Sequence, residues 1–207
     1  DQRIKLCFLG RPNVGKSSIC NSLIKSKRLI VDEKPGTTRD AVEIDFDYLK
    51  NGESTWLFTL IDTAGLRKKK KINSSVEYFS TVRSHHAIER SSVVFLVLDA
   101  KTGVTKQDKL LAGKILEFGR SIAIIVNKWD FALESFERNP IPGYEDEAEF
   151  RKEFTVSLLK ELFFLPDSPV IYVSAKTGYA LENILESASL LNETSLRQLS
   201  TLQINRL

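Results

Sequence analysis

The feature that most constrains this chain is the segment at residues 10–18, which lies between an apolar run and a helical pattern. Its sequence is Gly-Arg-Pro-Asn-Val-Gly-Lys-Ser-Ser. The two glycines let the backbone curl so that successive N–H groups point inward, and the following helix adds the positive end of its dipole. Lys16 can reach the outer phosphates of a nucleotide, and the hydroxyl of Ser17 can ligate magnesium. A simple tight turn would explain neither side chain, so the segment predicts a nucleoside triphosphate site.

The composition is that of an ordinary globular protein, because 42% of the 207 residues are hydrophobic and 28% are charged. A net charge of +3 is too nearly balanced to indicate nucleic-acid binding by itself. We find no window long enough for a membrane span and no leader like a signal peptide, so we expect a cytoplasmic protein. Cys7 and Cys20 fall in the first predicted strand and helix, which indicates reduced thiols.

Strands and helices alternate along the chain. Period-two alternation from Val42 to Tyr48 and a turn at Asn51 predict a hairpin with the apolar run at 55–61. The other predicted strands are 4–9, 93–98, 122–126 and 170–173, and the predicted helices are 16–25, 76–90, 105–118, 147–162 and 181–190. This order predicts an α/β fold with a mainly parallel six-stranded sheet, one antiparallel edge strand and helices on both faces. We expect residues 131–146 to form an irregular surface insertion.

Further motifs follow the predicted strands, where parallel sheets bind their ligands. The motif Asp-Thr-Ala-Gly at 62–65 can hold magnesium through its carboxylate and offer a backbone N–H to a terminal phosphate, although alone it could equally be an Asx turn. Asn-Lys-Trp-Asp at 127–130 and Ser-Ala-Lys at 174–176 follow later strands. The carboxylate of Asp130 only accepts hydrogen bonds, so it suits the N1 and amino donors of guanine and not adenine.

With these motifs the chain resembles the P-loop GTPases of the TrmE-Era-EngA group, and within it the second GTPase domain of EngA (Der). Residues 10–17, 35–40, 62–67, 76–80, 87–90, 107–108 and 127–130 carry the resemblance, which covers nearly the whole chain. It implies a Ras-like GTPase domain at 1–191 of a bacterial, cytoplasmic GTP-hydrolysing switch. The intact protein would have two GTPase domains and a KH-like domain and would act on ribosomal RNA in large-subunit assembly. The tail at 192–207 resembles the start of that KH-like domain, so the chain is interpreted as a fragment.

The motifs and the resemblance together give the expected ligands, GTP or GDP, Mg²⁺ and K⁺, and their binding residues. The expected nucleotide-binding residues are Gly10, Arg11, Pro12, Asn13, Val14, Gly15, Lys16, Ser17, Ser18, Asp62, Thr63, Ala64, Gly65, Asn127, Lys128, Asp130, Ser174, Ala175 and Lys176. The resemblance implies that Ser17, Thr38 and Asp62 hold magnesium, with Thr37 the weaker candidate, and that Asn127 and Asp130 read the base while Lys128 packs along it. The expected catalytic residues are Lys16, Asn13, Thr38 and Gly65.

The attacking water has no obvious orienting side chain, because Leu66 stands where many GTPases place a glutamine. The resemblance points instead to a potassium ion held in part by Asn13. Two alternatives remain open: a nucleotide-stabilised RNA- or ribosome-binding module with little hydrolysis, and a TrmE-like tRNA-modification GTPase. The basic run at 67–71 could contact RNA or be solvated surface.

Overall fold

The computed structural model describes residues 3–25, 29–32, 43–50, 54–61, 84–138 and 146–204. The strands of this part of the chain are β1 (Ile4–Leu9), β2 (Leu29–Asp32), β3 (Ile44–Lys50), β4 (Ser54–Leu60), β5 (Val93–Asp99), β6 (Ser121–Asn127) and β7 (Val170–Tyr172). The helices are α1 (Lys16–Ile24), α2 (Lys106–Glu117), α3 (Trp129–Arg138), α4 (Glu147–Glu161) and α5 (Glu182–Ile204). A further helical segment occupies residues 84–90.

The described strands form one sheet in the order β2-β3-β4-β1-β5-β6-β7. β1 pairs in parallel with β4 and β5, and β5, β6 and β7 continue in parallel. β3 is antiparallel to both β4 and β2. The α/β fold with a mainly parallel sheet is therefore confirmed, and the six predicted strands are present. The addition is β2, which takes the edge position and leaves the antiparallel β3 second from the edge.

The interior strand β5 shows why the core has two halves. All seven of its residues are buried, as expected for a parallel strand covered on both faces. Phe95 packs in a cluster with Ile19 of α1 and Ile184 of α5. Its neighbour Leu96 packs in the opposite cluster with Ile115 of α2. Successive side chains of the strand thus fill the two layers between the sheet and its helices.

Two sequence-based predictions about the helices were wrong. The segment 131–146 was expected to be irregular, yet α3 continues to Arg138, and Phe136 of this helix stacks on Phe150 of α4 at 4.7 Å between ring centroids. The last helix was expected to end at 190 but continues to Ile204, because its sequence contains neither glycine nor proline to stop it. α5 therefore crosses the proposed boundary at 191/192 without a break, and the boundary itself stays a prediction.

Other predictions lie outside the described residues. These are the loop at 34–40, the turn at 51–52, most of the helix at 76–90, and residues 139–145 of the segment expected to be irregular. Among the helices that are described, none combines the length and apolar character that crossing a membrane requires.

We predict that Leu96→Ala lowers the free energy of unfolding by about 3 kcal/mol, because the fully buried side chain leaves a cavity between the sheet and α2. The matched control is Leu110→Ala on α2, where the side chain is 69% exposed, with an expected change below about 0.5 kcal/mol. Urea unfolding without nucleotide measures both variants. Equal losses would contradict the assignment of β5 to the centre of the core.

Candidate nucleotide-binding site

The glycines of the loop between β1 and α1 are required by close neighbours as well as by backbone conformation. Gly10 has φ 152° and Gly15 has φ 100°. A Cβ on Gly10 would lie 2.4 Å from the carbonyl oxygen of Val97, and one on Gly15 would lie 2.1 Å from Nδ2 of Asn127. Both approaches are far shorter than a van der Waals contact, so only glycine fits at either position.

The N-terminus of α1 is suited to an anion. Gly15 precedes the helix and provides no side-chain cap, and the first turn contains no acidic residue. The unbonded N–H groups of this turn and the helix dipole both favour phosphate oxygens at this end. Ser17 and Ser18 lie in the same turn, as the sequence predicts for a magnesium ligand and its neighbour.

The side chain of Lys16 is held over the loop by backbone carbonyls of the loop. Its Nζ donates to the carbonyl oxygens of Gly10 at 2.6 Å and Arg11 at 2.7 Å. Burial lowers the pKa of Lys16 from its ordinary value. An ammonium has three protons, and the two carbonyls use two of them. The third remains for a phosphate oxygen, whose negative charge would favour the protonated form.

Asn127, the last residue of β6, joins the loop between β1 and α1 (residues 10–15, the phosphate loop) to the loop after β7. Its Nδ2 donates to the carbonyl of Val14 at 2.8 Å, and its Oδ1 accepts from the backbone N–H of Ala175 at 3.1 Å. The side chain is only 2% exposed. Both polar atoms are engaged within the protein, so the structure gives Asn127 a bracing role. The amide nitrogen has a second proton, and the base-reading role that the resemblance implies stays a prediction.

Asp130 has the unpaired acceptor that the base-reading hypothesis needs. It lies in the first turn of α3, and its Oδ2 is 3.8 Å from Nζ of Lys176. Its Oδ1 is buried and has no hydrogen-bond partner among the described residues. A buried carboxylate oxygen without a donor is costly unless a ligand supplies one. The donor edge of guanine fits this requirement.

Lys128 connects the Asn-Lys-Trp-Asp motif at 127–130, the predicted guanine motif, to the phosphate loop. Its φ is 64°, an uncommon left-handed conformation for a lysine. Its Nζ donates to Oδ2 of Asp99 at 2.6 Å and to the carbonyl of Asn13 at 3.0 Å. The stem of Lys128 therefore spans the space between the end of β5 and the loop, as expected for a side chain that packs along a base. Asn13 itself has φ 66° and an exposed side chain.

The structure thus brings together the predicted residues at 10–18, 127–130 and 174–176. Thr38 and the motif at 62–65 lie outside the described residues. The chain can be followed to Ile61, whose N–H donates to the carbonyl of Leu6 at 2.8 Å. The residue before Asp62 is therefore placed beside β1, which leads into the phosphate loop.

Sequence reasoning named Asp108 only among the residues that carry the resemblance and gave it no role at the site. The guanidinium of Arg11 donates from Nε to both carboxylate oxygens of Asp108 at 3.1 and 2.9 Å. The available signal was the spacing of Thr105 and Asp108, which form a capping box at the start of α2.

Comparison with known proteins identifies the family of this chain. The family described as 50S ribosome-binding GTPase matches residues 5–128. The chain is 42% identical over 206 residues to GTPase Der of Bordetella petrii, a match that covers 100% of this chain and 42% of that protein. It is 44% identical over 205 residues to GTPase Der of Trichormus variabilis, covering 99% and 42%. The chain therefore spans less than half the length of these curated relatives.

Solved structures show the same fold at low sequence identity. A variant of Aquifex aeolicus Era bound to GDP and AlF4⁻ has a TM-score of 0.57 and 20% identity, covering 92% of this chain and 56% of that chain. The G domain of the T. maritima FeoB iron transporter has a TM-score of 0.52 and 21% identity, covering 92% and 99%. With the family match extending over more than half of its length, this chain belongs to the 50S ribosome-binding GTPase family.

Proposed function

We propose that this chain binds GTP and hydrolyses it to GDP and phosphate, as a nucleotide-dependent switch. The observation that supports this best is the buried, unpaired Oδ1 of Asp130, because an acceptor-only group selects the donor edge of guanine. Through Asn127 the guanine motif is tied to the phosphate loop. The base and the phosphates of one nucleotide would therefore bind to a single braced unit.

The phosphates would bind to the backbone N–H groups at the start of α1 and to Lys16. Ser17 is suited to hold Mg²⁺, and Thr38 and Asp62 are proposed as further ligands from the sequence. When bound, the magnesium ion would neutralise charge on the phosphate oxygens. A binding module without hydrolysis remains the second candidate. The intact lysine, the magnesium ligands and the Asp-Thr-Ala-Gly motif favour the enzyme.

We also propose potassium as a second cation for hydrolysis. The position after Gly65 is Leu66, which cannot orient a water molecule. Phosphoryl transfer depends mainly on positioning and charge neutralisation. The exposed side chain of Asn13 lies on the loop, and the backbone of Asn13 is fixed by the bond of its carbonyl to Lys128. The side-chain amide oxygen of Asn13 is a suitable ligand for a monovalent cation, since it extends from a residue whose backbone is fixed.

For the whole protein we propose a cytoplasmic role in assembly of the large ribosomal subunit. The description of the matched family and the names of the Der relatives support it. Since the chain spans 42% of such a relative, a second GTPase domain and a KH-like domain are proposed for the intact protein. A role in tRNA modification is the alternative.

We predict that Asp130→Asn moves nucleotide preference from GDP toward xanthosine diphosphate. Xanthine has a carbonyl where guanine has its amino group, and an amide can donate to it. Titration of both nucleotides against both proteins measures the shift, which we expect to exceed about tenfold in relative affinity. Glu134→Gln, one turn further along α3, is the matched control because Glu134 pairs with Arg138 at the surface. Retained guanine selectivity in Asp130→Asn would refute the assignment.

Hydrolysis is expected to be faster in potassium chloride than in sodium chloride at equal ionic strength. Asn13→Ala should remove this difference and leave GDP binding nearly intact, because the backbone contacts to the phosphates remain. Asn21→Ala, at an exposed position of α1, should keep the difference. Phosphate release is the measurement. Equal rates of the unaltered chain in the two salts would eliminate the potassium proposal but not GTP hydrolysis.

The basic run at 67–71 is proposed to contact ribosomal RNA in the GTP state. Replacing Lys68, Lys69, Lys70 and Lys71 by glutamine should weaken binding to large-subunit particles and flatten its salt dependence. The control replaces four exposed lysines elsewhere, Lys101, Lys106, Lys152 and Lys160. If both sets of substitutions change affinity and salt slope equally, the run is ordinary solvated surface.

A further inference from the structure

The side chain of Arg11 leads away from the phosphate loop toward the start of α2. Besides the two bonds from Nε to Asp108, its Nη2 donates to Oγ1 of Thr102 at 2.8 Å and to the carbonyl of Gly103 at 3.4 Å. Its guanidinium is therefore committed to the start of α2 and to the loop before it. This arrangement leaves Arg11 without the geometry of a phosphate ligand.

Asp108 is an unusual partner because its carboxylate is 0% exposed. Besides Arg11, it accepts from the backbone N–H of Thr105 at 2.9 Å and from the hydroxyl of Thr105 at 2.7 Å. A carboxylate this deeply buried depends on its cationic partner, since removing the partner leaves an uncompensated charge. A helix cap alone would not need a second segment 97 residues away in the sequence.

The pair reaches the phosphate site through the backbone of Arg11. The side chain of this residue is fixed at Asp108, and its carbonyl accepts from Nζ of Lys16 at 2.7 Å. A displacement of Arg11 would therefore move an acceptor that positions the phosphate-binding ammonium. Asp108 also acts on Lys16 at longer range, as its charge favours the protonated lysine.

We infer that Arg11 and Asp108 form a positioning pair that holds the phosphate loop in its nucleotide-binding conformation and so controls how long a guanine nucleotide stays bound. This inference rests on the proposed function. Neither residue contacts the nucleotide in this scheme. The carboxylate of Asp108 holds the guanidinium of Arg11. The backbone carbonyl of Arg11 in turn holds the ammonium of Lys16.

The test measures dissociation of a fluorescent GDP analogue from the unaltered chain and from Arg11→Gln, Asp108→Asn and the double variant. Each single substitution should accelerate dissociation about tenfold or more, because a hydrogen-bonded charge pair is lost. The double variant should be no faster than about twice the faster single variant, since both changes remove the same contact. Arg11→Lys keeps the charge but loses the planar fork that joins Asp108 to Thr102, so we expect about a threefold to fivefold acceleration.

The control is Asp47→Asn, which removes the 2.7 Å bond to Arg3 in a more exposed charge pair away from the loop. Its GDP dissociation should stay within about twofold of the unaltered chain. Melting temperatures without nucleotide are recorded for every variant. Lower melting temperatures with unchanged dissociation rates would overturn the inference and leave a structural pair only, and so would single effects that multiply in the double variant.

If Asp108→Asn does not fold, Arg11→Lys decides the question, since it leaves the carboxylate paired with a cation. Dissociation from Arg11→Lys at the rate of the unaltered chain would then overturn the inference. A failure of the unaltered chain to bind the GDP analogue would instead refute the proposed function, so the two failures are distinguishable.

Discussion

The site depends first on the side chain of Asn127, because one buried amide joins three parts of the chain that are distant in sequence. It ends β6, donates to the phosphate loop at Val14 and accepts from Ala175 after β7. These bonds are shielded from water. If either were broken, the backbone group of Val14 or Ala175 would lose its hydrogen bond without gaining one to water. The position of Asn127 also excludes a side chain at residue 15, where a Cβ would lie 2.1 Å from Nδ2. The asparagine at 127 can therefore occupy this position only if residue 15 is a glycine.

This brace has its effect because helices pack on both faces of the sheet beneath it. β1, β5, β6 and β7 are adjacent and parallel, so the loops that follow them meet at one edge. β5 is buried along its whole length and separates the two halves of the core. Small displacements of α2 or α3 are therefore resisted by close packing on both faces of the sheet. The loops proposed to bind the base and the phosphates can then keep a fixed distance without a contact between every pair of them.

The sequence predicts the features that depend on local pattern and fails where distant residues decide. The apolar run of β5 and the spacing of residues 10–18 are local signals. The first correctly predicts a strand, and the second correctly predicts a loop between a strand and a helix. β2 was missed because a four-residue strand has too little periodicity to be recognised. α3 was missed because the residues after 138 are typical of turns. Its apolar residues pack on α4. The bond between the guanidinium of Arg11 and Asp108 was not predicted, because the two residues are 97 positions apart in the sequence.

The distribution of charge explains why such a site would use bound cations. Of the basic side chains in the described nucleotide motifs, Arg11 is paired with Asp108, Lys128 with Asp99, and Lys176 lies near Asp130. Lys16 instead bonds to backbone carbonyls, which carry no formal charge. The positive charge directed at the phosphates by this part of the chain is therefore one ammonium and a helix dipole worth about half a charge. A triphosphate brings several negative charges, and so neutralising its transition state requires metal ions more than further side chains.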